Sequence, residues 1–329
     1  MSLPINVITG FLGSGKTTLL KRLLTDQTLG DTAVLINEFG EVGLDHLLIE
    51  EIAPDAVLLP NGCVCCSVRG DLKAALMKLT ERRRQGAIPQ FKRVLLETTG
   101  LADPAPILAT LAKDPHLRGH YHLGLMITVV DAQHATLQER LHPEWLAQVA
   151  AADRLLISKD DSVDALTLSQ LQAHLTDINA GATQALARTV QAGDELLWGQ
   201  GLGGSAIAQE VMRWQRVRPV DALQHSQAQV CCLTFDRPLD WMTFGVWLSM
   251  LLRCHGERIL RVKGILEVIN SDQPIVIHGV QHCLHAPVHM PAWPEGPRSS
   301  RLVFIVRGLD IALLQRSFAA FMGRAPVAA

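Results

Sequence analysis

Gly10-Phe-Leu-Gly-Ser-Gly15-Lys16-Thr17 stands between an apolar run, Leu3 to Thr9, and an amphipathic run, Lys16 to Asp26. A strand, a glycine-rich turn and a helix in that order leave a chain few folds to choose from. The glycines let successive backbone N–H groups turn towards one point, and a helix opening at Lys16 aims its positive end at the same point. That arrangement suits a phosphate. In the pattern G-x-x-x-x-G-K-[ST] the lysine reaches the β/γ-phosphates and the hydroxyl is offered to Mg²⁺. Those roles fall to Lys16 and Thr17, with Gly10, Gly13, Ser14, Gly15 and Thr18 forming or flanking the backbone cradle.

The rest of the first half repeats the alternation of short apolar and longer amphipathic segments. Thr32 to Ile36, Ala56 to Leu59, Arg93 to Glu97, Gly124 to Val130 and Arg154 to Ser158 read as strands, the last three apolar enough to be buried on both faces. Asp71 to Gln85 reads as a helix with Leu72, Leu76 and Leu79 on one face and Arg82, Arg83 and Arg84 at its wet end. Alternating strands and helices predict an α/β fold: a P-loop domain with a mostly parallel sheet and flanking helices. Glu97-Thr-Thr-Gly100 closes one strand. A carboxylate at a strand end can hold Mg²⁺ through water, and the Gly100 N–H can face a γ-phosphate. Ser158-Lys159-Asp160-Asp161 closes a later strand. Asp161 can accept from both N1–H and the exocyclic amine of guanine, which adenine cannot offer, while the Lys159 stem can cover the purine. GTP is therefore expected over ATP.

Composition narrows the class further. In 329 residues, 48% hydrophobic and 19% charged, there is material for about two globular domains. Lys and Arg total 30 against 32 for Asp and Glu, so no basic face for nucleic acid is forced. The longest apolar stretches, such as Leu123 to Val130, are too short to cross a bilayer. The N-terminus has no basic n-region with a cleavage site, which leads to the expectation of a soluble, cytoplasmic chain without membrane partners. The glycine-dense stretch Gly199 to Ser205 and the polar run Gln224 to Gln229 separate the halves. The boundary is set near residue 215, giving a nucleotide domain over 1–215 and a smaller α+β domain over 216–329. The latter reads as strand Val230 to Phe235, helix Trp241 to Cys254, strands Leu260 to Glu267, Ile275 to His278 and Arg301 to Val306, and helix Ile311 to Met322.

Seven cysteines is an odd count, and Cys63, Cys65 and Cys66 crowd into four positions after the turn Pro60-Asn61-Gly62. Soft thiolates suit Zn²⁺ or Cu(I). A tetrahedral zinc site needs about four ligands, so the loop alone is short of a full set unless water or another side chain joins, and Glu41 is the preferred candidate. The other cysteines and histidines read blandly. Cys231 and Cys232 fall on opposite faces of a strand. His278, His282, His285 and His289 read as turn and surface histidines, since a strand precedes them and Pro287 interrupts them. Trp241, Phe244, Trp247 and Leu251 recur at helical spacing as core.

In order along the chain stand Gly10-Phe-Leu-Gly-Ser-Gly-Lys-Thr-Thr18, Asn37-Glu-Phe-Gly-Glu41, Asn61-Gly-Cys-Val-Cys-Cys66, Glu97-Thr-Thr-Gly-Leu-Ala-Asp-Pro104 and Ser158-Lys-Asp-Asp161. Together they resemble the CobW/YjiA-type P-loop GTPases, and Arg261-Val-Lys-Gly264 with Gly279-Val-Gln281 resemble that family's C-terminal domain. The resemblance implies a GTPase that binds a transition metal, most often zinc, and passes it to a metal-requiring client protein. It makes Cys63, Cys65, Cys66 and Glu41 the metal ligands, with Lys16, Thr17 and Glu97 as the phosphate and Mg²⁺ group and Asp45 as a further Mg²⁺-side residue. It also makes Asn37 to Asp45 a nucleotide-responsive switch. Two departures stand out. The inter-domain region has only His225 where many members are histidine-rich, and Ile36 stands where some members place an acidic ligand. Alternatives of other kinds are a cobalt or nickel insertase on the same machinery, and a nucleotide-binding metal sensor or buffer. The cysteine loop also offers a route to metal-dependent homo-oligomers.

Overall fold

A computed structural model of the chain describes residues 2–25, 31–36, 57–58, 68–198, 208, 211–212, 214, 228–294, 298–323 and 326. Glu41, Asp45, Cys63, Cys65 and Cys66 lie outside the described residues, as does most of the 37–67 region. The chain divides into two compact units: Met1–Gln172 with Ala182–Gln200, and Ala173–Gly181 with Gly201–Ala329.

The first unit is built on a sheet of β1 (Leu3–Thr9), β2 (Thr32–Ile36), β3 (Val57–Leu58), β4 (Arg93–Glu97), β5 (Tyr121–Asp131), β6 (Arg154–Ser158) and β7 (Thr183–Leu186). Their order is β3-β2-β4-β1-β5-β6-β7, and every pairing is parallel, where a mostly parallel sheet was expected. Parallel neighbours need crossovers. These include α1 (Lys16–Leu24), α2 (Val68–Arg84), α3 (Pro104–Lys113), α4 (Pro115–His120), α5 (Ala135–Leu141), α6 (Pro143–Ala151) and α7 (Ala165–Ile178), whose residues from Ala173 on are counted with the second unit. Helices on both faces explain the unbroken apolar strands: Ile8, Leu95, Ile127 and Leu156 sit in one buried cluster with Leu19, Leu20 and Leu23 of α1. Leu72, Leu76 and Leu79 of α2 are buried, as their spacing predicts.

Several helices escape the sequence reading. Two start at an Asp-Pro pair: the Asp103 side chain accepts from Ala105 N–H at 2.9 Å, and that of Asp114 from His116 and Leu117 N–H. The proline occupies the first helical position, where its missing N–H costs nothing. Both signals stand in the sequence.

The second unit is antiparallel. Its strands β8 (Ala228–Phe235), β9 (Ile259–Leu266), β10 (Ile275–Val280), β11 (Cys283–Leu284) and β13 (Ser300–Arg307) run in the order β11-β10-β9-β13-β8, with β12 (Val288–His289) also against β10. Helices α8 (Trp241–His255) and α9 (Ile311–Met322) belong to it as well; Phe244 and Trp247 of α8 and Phe318 of α9 share one core with Phe304 of β13. Trp247 meets Phe318 edge-on with ring centroids 5.0 Å apart, and its indole N–H donates to Ser317. Phe244, Trp247 and Leu251 are core as read, and Trp241 packs partly buried beside them. Cys231 joins this core while Cys232 joins a separate cluster with Val230, confirming opposite faces. One histidine corrects the reading: His278 is buried on β10 and stacks on His285, with ring centroids 4.8 Å apart. Among the described residues no helix is long and apolar enough to cross a membrane.

A bulge marks the centre of the parallel sheet. Ile5 pairs with Leu123 but Val7 with Met126, so β5 carries one extra residue. The Asn6 side chain fills the gap by accepting from Leu125 N–H at 2.7 Å, and a Cβ at Gly124 would lie 2.1 Å from that Asn6 oxygen. Asn6→Ala orphans a buried N–H, so chemical denaturation is expected to show a loss of about 1–3 kcal/mol.

Candidate nucleotide and metal site

The phosphate loop leaves β1 with three glycines in left-handed backbone: φ is +141° at Gly10, +72° at Gly13 and +90° at Gly15. Gly10 is also sterically required, because a Cβ there would stand 2.3 Å from the Val129 carbonyl oxygen. Ser14 between them is fully buried and its N–H donates to Phe11 O at 3.1 Å. Gly15 caps α1 in left-handed backbone and, as a glycine, brings no side-chain acceptor of its own. Lys16, only 7% exposed, folds back along the loop and donates from Nζ to Gly10 O at 2.9 Å and Phe11 O at 3.1 Å.

Strand β4 brings the second segment. The Thr17 hydroxyl donates to Glu97 Oε1 at 2.6 Å, although 80 residues separate them, and Glu97 is 4% exposed. Register explains the meeting: Ile8 pairs with Glu97 in the parallel ladder, so both strands deliver their ends to one place. Thr98 strengthens the join, with N–H to Ile8 O and hydroxyl to Thr9 Oγ1, both at 2.9 Å. Gly100 then presses on the phosphate loop itself: a Cβ there would lie 2.6 Å from Leu12 N.

Strand β6 brings the third. Ser158 Oγ donates to Ser14 O at 2.6 Å, which ties the Ser158-Lys159-Asp160-Asp161 string directly to the phosphate loop. Lys159 takes a left-handed backbone, φ +54°, and its Nζ reaches Asp131 Oδ2 at 2.6 Å. Asp160 pairs with Arg188 at 2.7 Å, and Asp161 stands exposed. Thr18 is exposed on α1. Lys16, Thr17, Glu97, Gly100 and Lys159 are thus carried by segments held against a single loop.

Two families match the chain: "CobW/HypB/UreG, nucleotide-binding domain" over residues 4–185 and "Cobalamin synthesis protein cobW C-terminal domain" over residues 228–322. The zinc chaperone YjiA of Escherichia coli strain K12 is 34% identical over 320 residues, covering 96% of this chain and 98% of that protein. The zinc chaperone CobW of Pseudomonas aeruginosa is 29% identical over 349 residues, covering 95% and 89%. The crystal structure of Zn(II)-bound YjiA GTPase from E. coli superposes with a TM-score of 0.73 at 25% identity, covering 98% of this chain and 99% of that one. The chain belongs to the CobW/HypB/UreG family.

In this CobW-family chain the described residues hold no group of three His, Cys, Asp or Glu able to bind a metal ion. Burial, with the neighbouring Cys232 adding to it, pushes the Cys231 thiol up to about 12. The sequence reading also missed Asp131, since it ended that strand one residue early, at Val130. Burial by itself raises the Asp131 carboxyl. Donors from Lys159, His134 and the Gln133 N–H outweigh burial and hold it below the usual carboxylate range.

A carboxyl lowered on folding adds stability that is full above about pH 4 and is lost as pH falls through the lowered value. Asp131→Asn is therefore expected to cost about 1 kcal/mol at pH 7, a modest figure because Lys159 is 37% exposed. In denaturation curves taken from pH 7 to pH 3, the gap to wild type should close only in the acid limb.

Proposed function

We propose that this chain is a Mg²⁺-dependent GTPase that binds zinc and hands it to metal-requiring client proteins in the cytoplasm. The observation that carries the reading is the Thr17–Glu97 contact at 2.6 Å beside the three left-handed glycines. A hydroxyl and a buried carboxylate, set at the mouth of an N–H cradle, are the donors a hard dication takes next to phosphate oxygens. Thr17 and Glu97 would hold Mg²⁺, the latter through water. The ion supplies neutralisation of charge on the β- and γ-oxygens.

The chain's own residues do the rest. Loop N–H groups from Gly10 to Thr18 bind the phosphates, and Lys16 exchanges its two carbonyl acceptors for phosphate oxygens. Gly100 presents its N–H to the third phosphate. Asp161 accepts from guanine N1–H and its amine, and Lys159, fixed by Asp131, lays its stem along the purine face. Adenine would leave the Asp161 acceptor facing no donor, so GTP is preferred. Catalysis then rests on positioning and charge stabilisation, which predicts slow intrinsic turnover raised by a partner.

Zinc is the cargo. Cys63, Cys65 and Cys66 offer soft thiolates, Glu41 a fourth ligand, and the names of the relatives support zinc over cobalt or nickel. Glu41 lies in the segment 37–45, a few residues beyond β2, whose end pairs with Glu97. That segment is the element through which nucleotide state changes the metal's ligand set.

Lys16→Ala is expected to lower multiple-turnover phosphate release from GTP by about a hundredfold or more without unfolding the chain. Retained turnover would overturn the enzyme reading. Anaerobic purification with elemental analysis should find zinc on the wild type and markedly less on Cys66→Ser. Equal zinc in both would remove the cysteine loop as the cargo site.

A further inference from the structure

Gln148 sits on α6, fully buried, and none of the roles above uses it. Its Nε2 donates to two carbonyls of one turn, Gly100 O and Ala102 O, each at 3.0 Å. Two carbonyl partners can be met only by the NH₂ end of the amide, so its orientation follows from chemistry. The other end, Oε1, is buried with no hydrogen-bond partner among the described residues. A buried acceptor left in that condition is a cost that Leu or Met would not incur. Filling space therefore does not explain an amide at this position, whereas two donors aimed at one turn do.

That turn is Thr99 to Ala102, closed by Ala102 N–H to Thr99 O at 3.1 Å, with Gly100 in its second position against Leu12 of the phosphate loop. The mount behind it is tied to the sheet. The Gln148 carbonyl accepts from Thr128 Oγ1 at 2.8 Å, which fixes α6 to β5 in the middle of the parallel sheet. The glutamine thus spans from the sheet to the turn 48 residues earlier.

We propose that Gln148 is the positioning residue that seats the 99–102 turn on the phosphate loop, so that the turn distinguishes a nucleoside triphosphate from a diphosphate. The proposal rests on the assignment of the Gly100 N–H to the third phosphate. Its consequence is selective: a diphosphate meets only the phosphate loop, so weakening the mount costs only the triphosphate state.

Gln148→Met keeps the length and removes both donors; Gln148→Glu keeps the shape and sets acceptors against acceptors. For both variants, Kd for GDP is expected within about twofold of wild type. A non-hydrolysable GTP analogue should bind roughly tenfold more weakly and kcat should fall at least as far. Equal weakening of GDP and analogue, or no change in either, overturns the proposal. Wild-type amide exchange at Gly100 separates it from the reading beneath. If Gly100 is protected by the analogue beyond GDP while both Gln148 variants keep the wild-type affinity ratio, Gln148 is merely structural; if its protection is equal in the two states, the assignment of Gly100 fails. Amide exchange in the wild type gives a readout that needs no variant to fold. Residues 100–102 should exchange more slowly with analogue than with GDP, and identical rates in the two states contradict the proposal.

Discussion

Backbone N–H groups converge on one point only where the chain turns against its usual hand, and Gly10, Gly13 and Gly15 do so three times in six residues. At Gly10 the turn is forced from below by the Val129 carbonyl of the neighbouring strand, so any side chain would lift the loop off the sheet. The loop is therefore shaped by its floor as much as by its own residues. The Thr17–Glu97 and Ser158–Ser14 contacts take this loop as their reference.

The parallel sheet supplies those contacts through its ends. With β1 between β4 and β5, and β6 next along, the carboxyl ends of the strands open side by side, where ligands bind in such sheets. Thr9, Glu97, Asp131 and Ser158 end four of them. Each makes a short hydrogen bond or ion pair to a partner from another segment: Thr98, Thr17, Lys159 and Ser14 respectively. Strand register thus brings the described strand ends and the phosphate loop together.

What could be read from the sequence follows the same physics. The phosphate loop, the strand ends at Glu97 and Ser158, and the α/β alternation are local patterns, each carried within about ten residues. The second unit's strands and helices were local as well. What escaped was long-range. Ser158 reaches Ser14 across 144 positions, Lys159 reaches Asp131 across 28, and Gln148 reaches Gly100 across 48. No periodicity announces such pairs. His278 was misplaced because a histidine followed by a turn looks solvated until β9 and the ring of His285 cover it. The Asp-Pro helix starts at Asp103 and Asp114 are local signals, each contained within a few residues.

The proposed metal delivery requires coupling between the nucleotide cradle and the thiolate cargo loop, through the segment that follows β2. Linkage makes that claim measurable, because a nucleotide that changes zinc affinity must have its own affinity changed by the same factor. The most direct measurement is a zinc titration of the wild-type chain with GTP analogue, with GDP and with no nucleotide. The account predicts separate isotherms, with the analogue and GDP curves differing by about tenfold, or ~1.4 kcal/mol, and the same factor recovered when nucleotide is titrated with and without zinc. Three superimposed isotherms would contradict it.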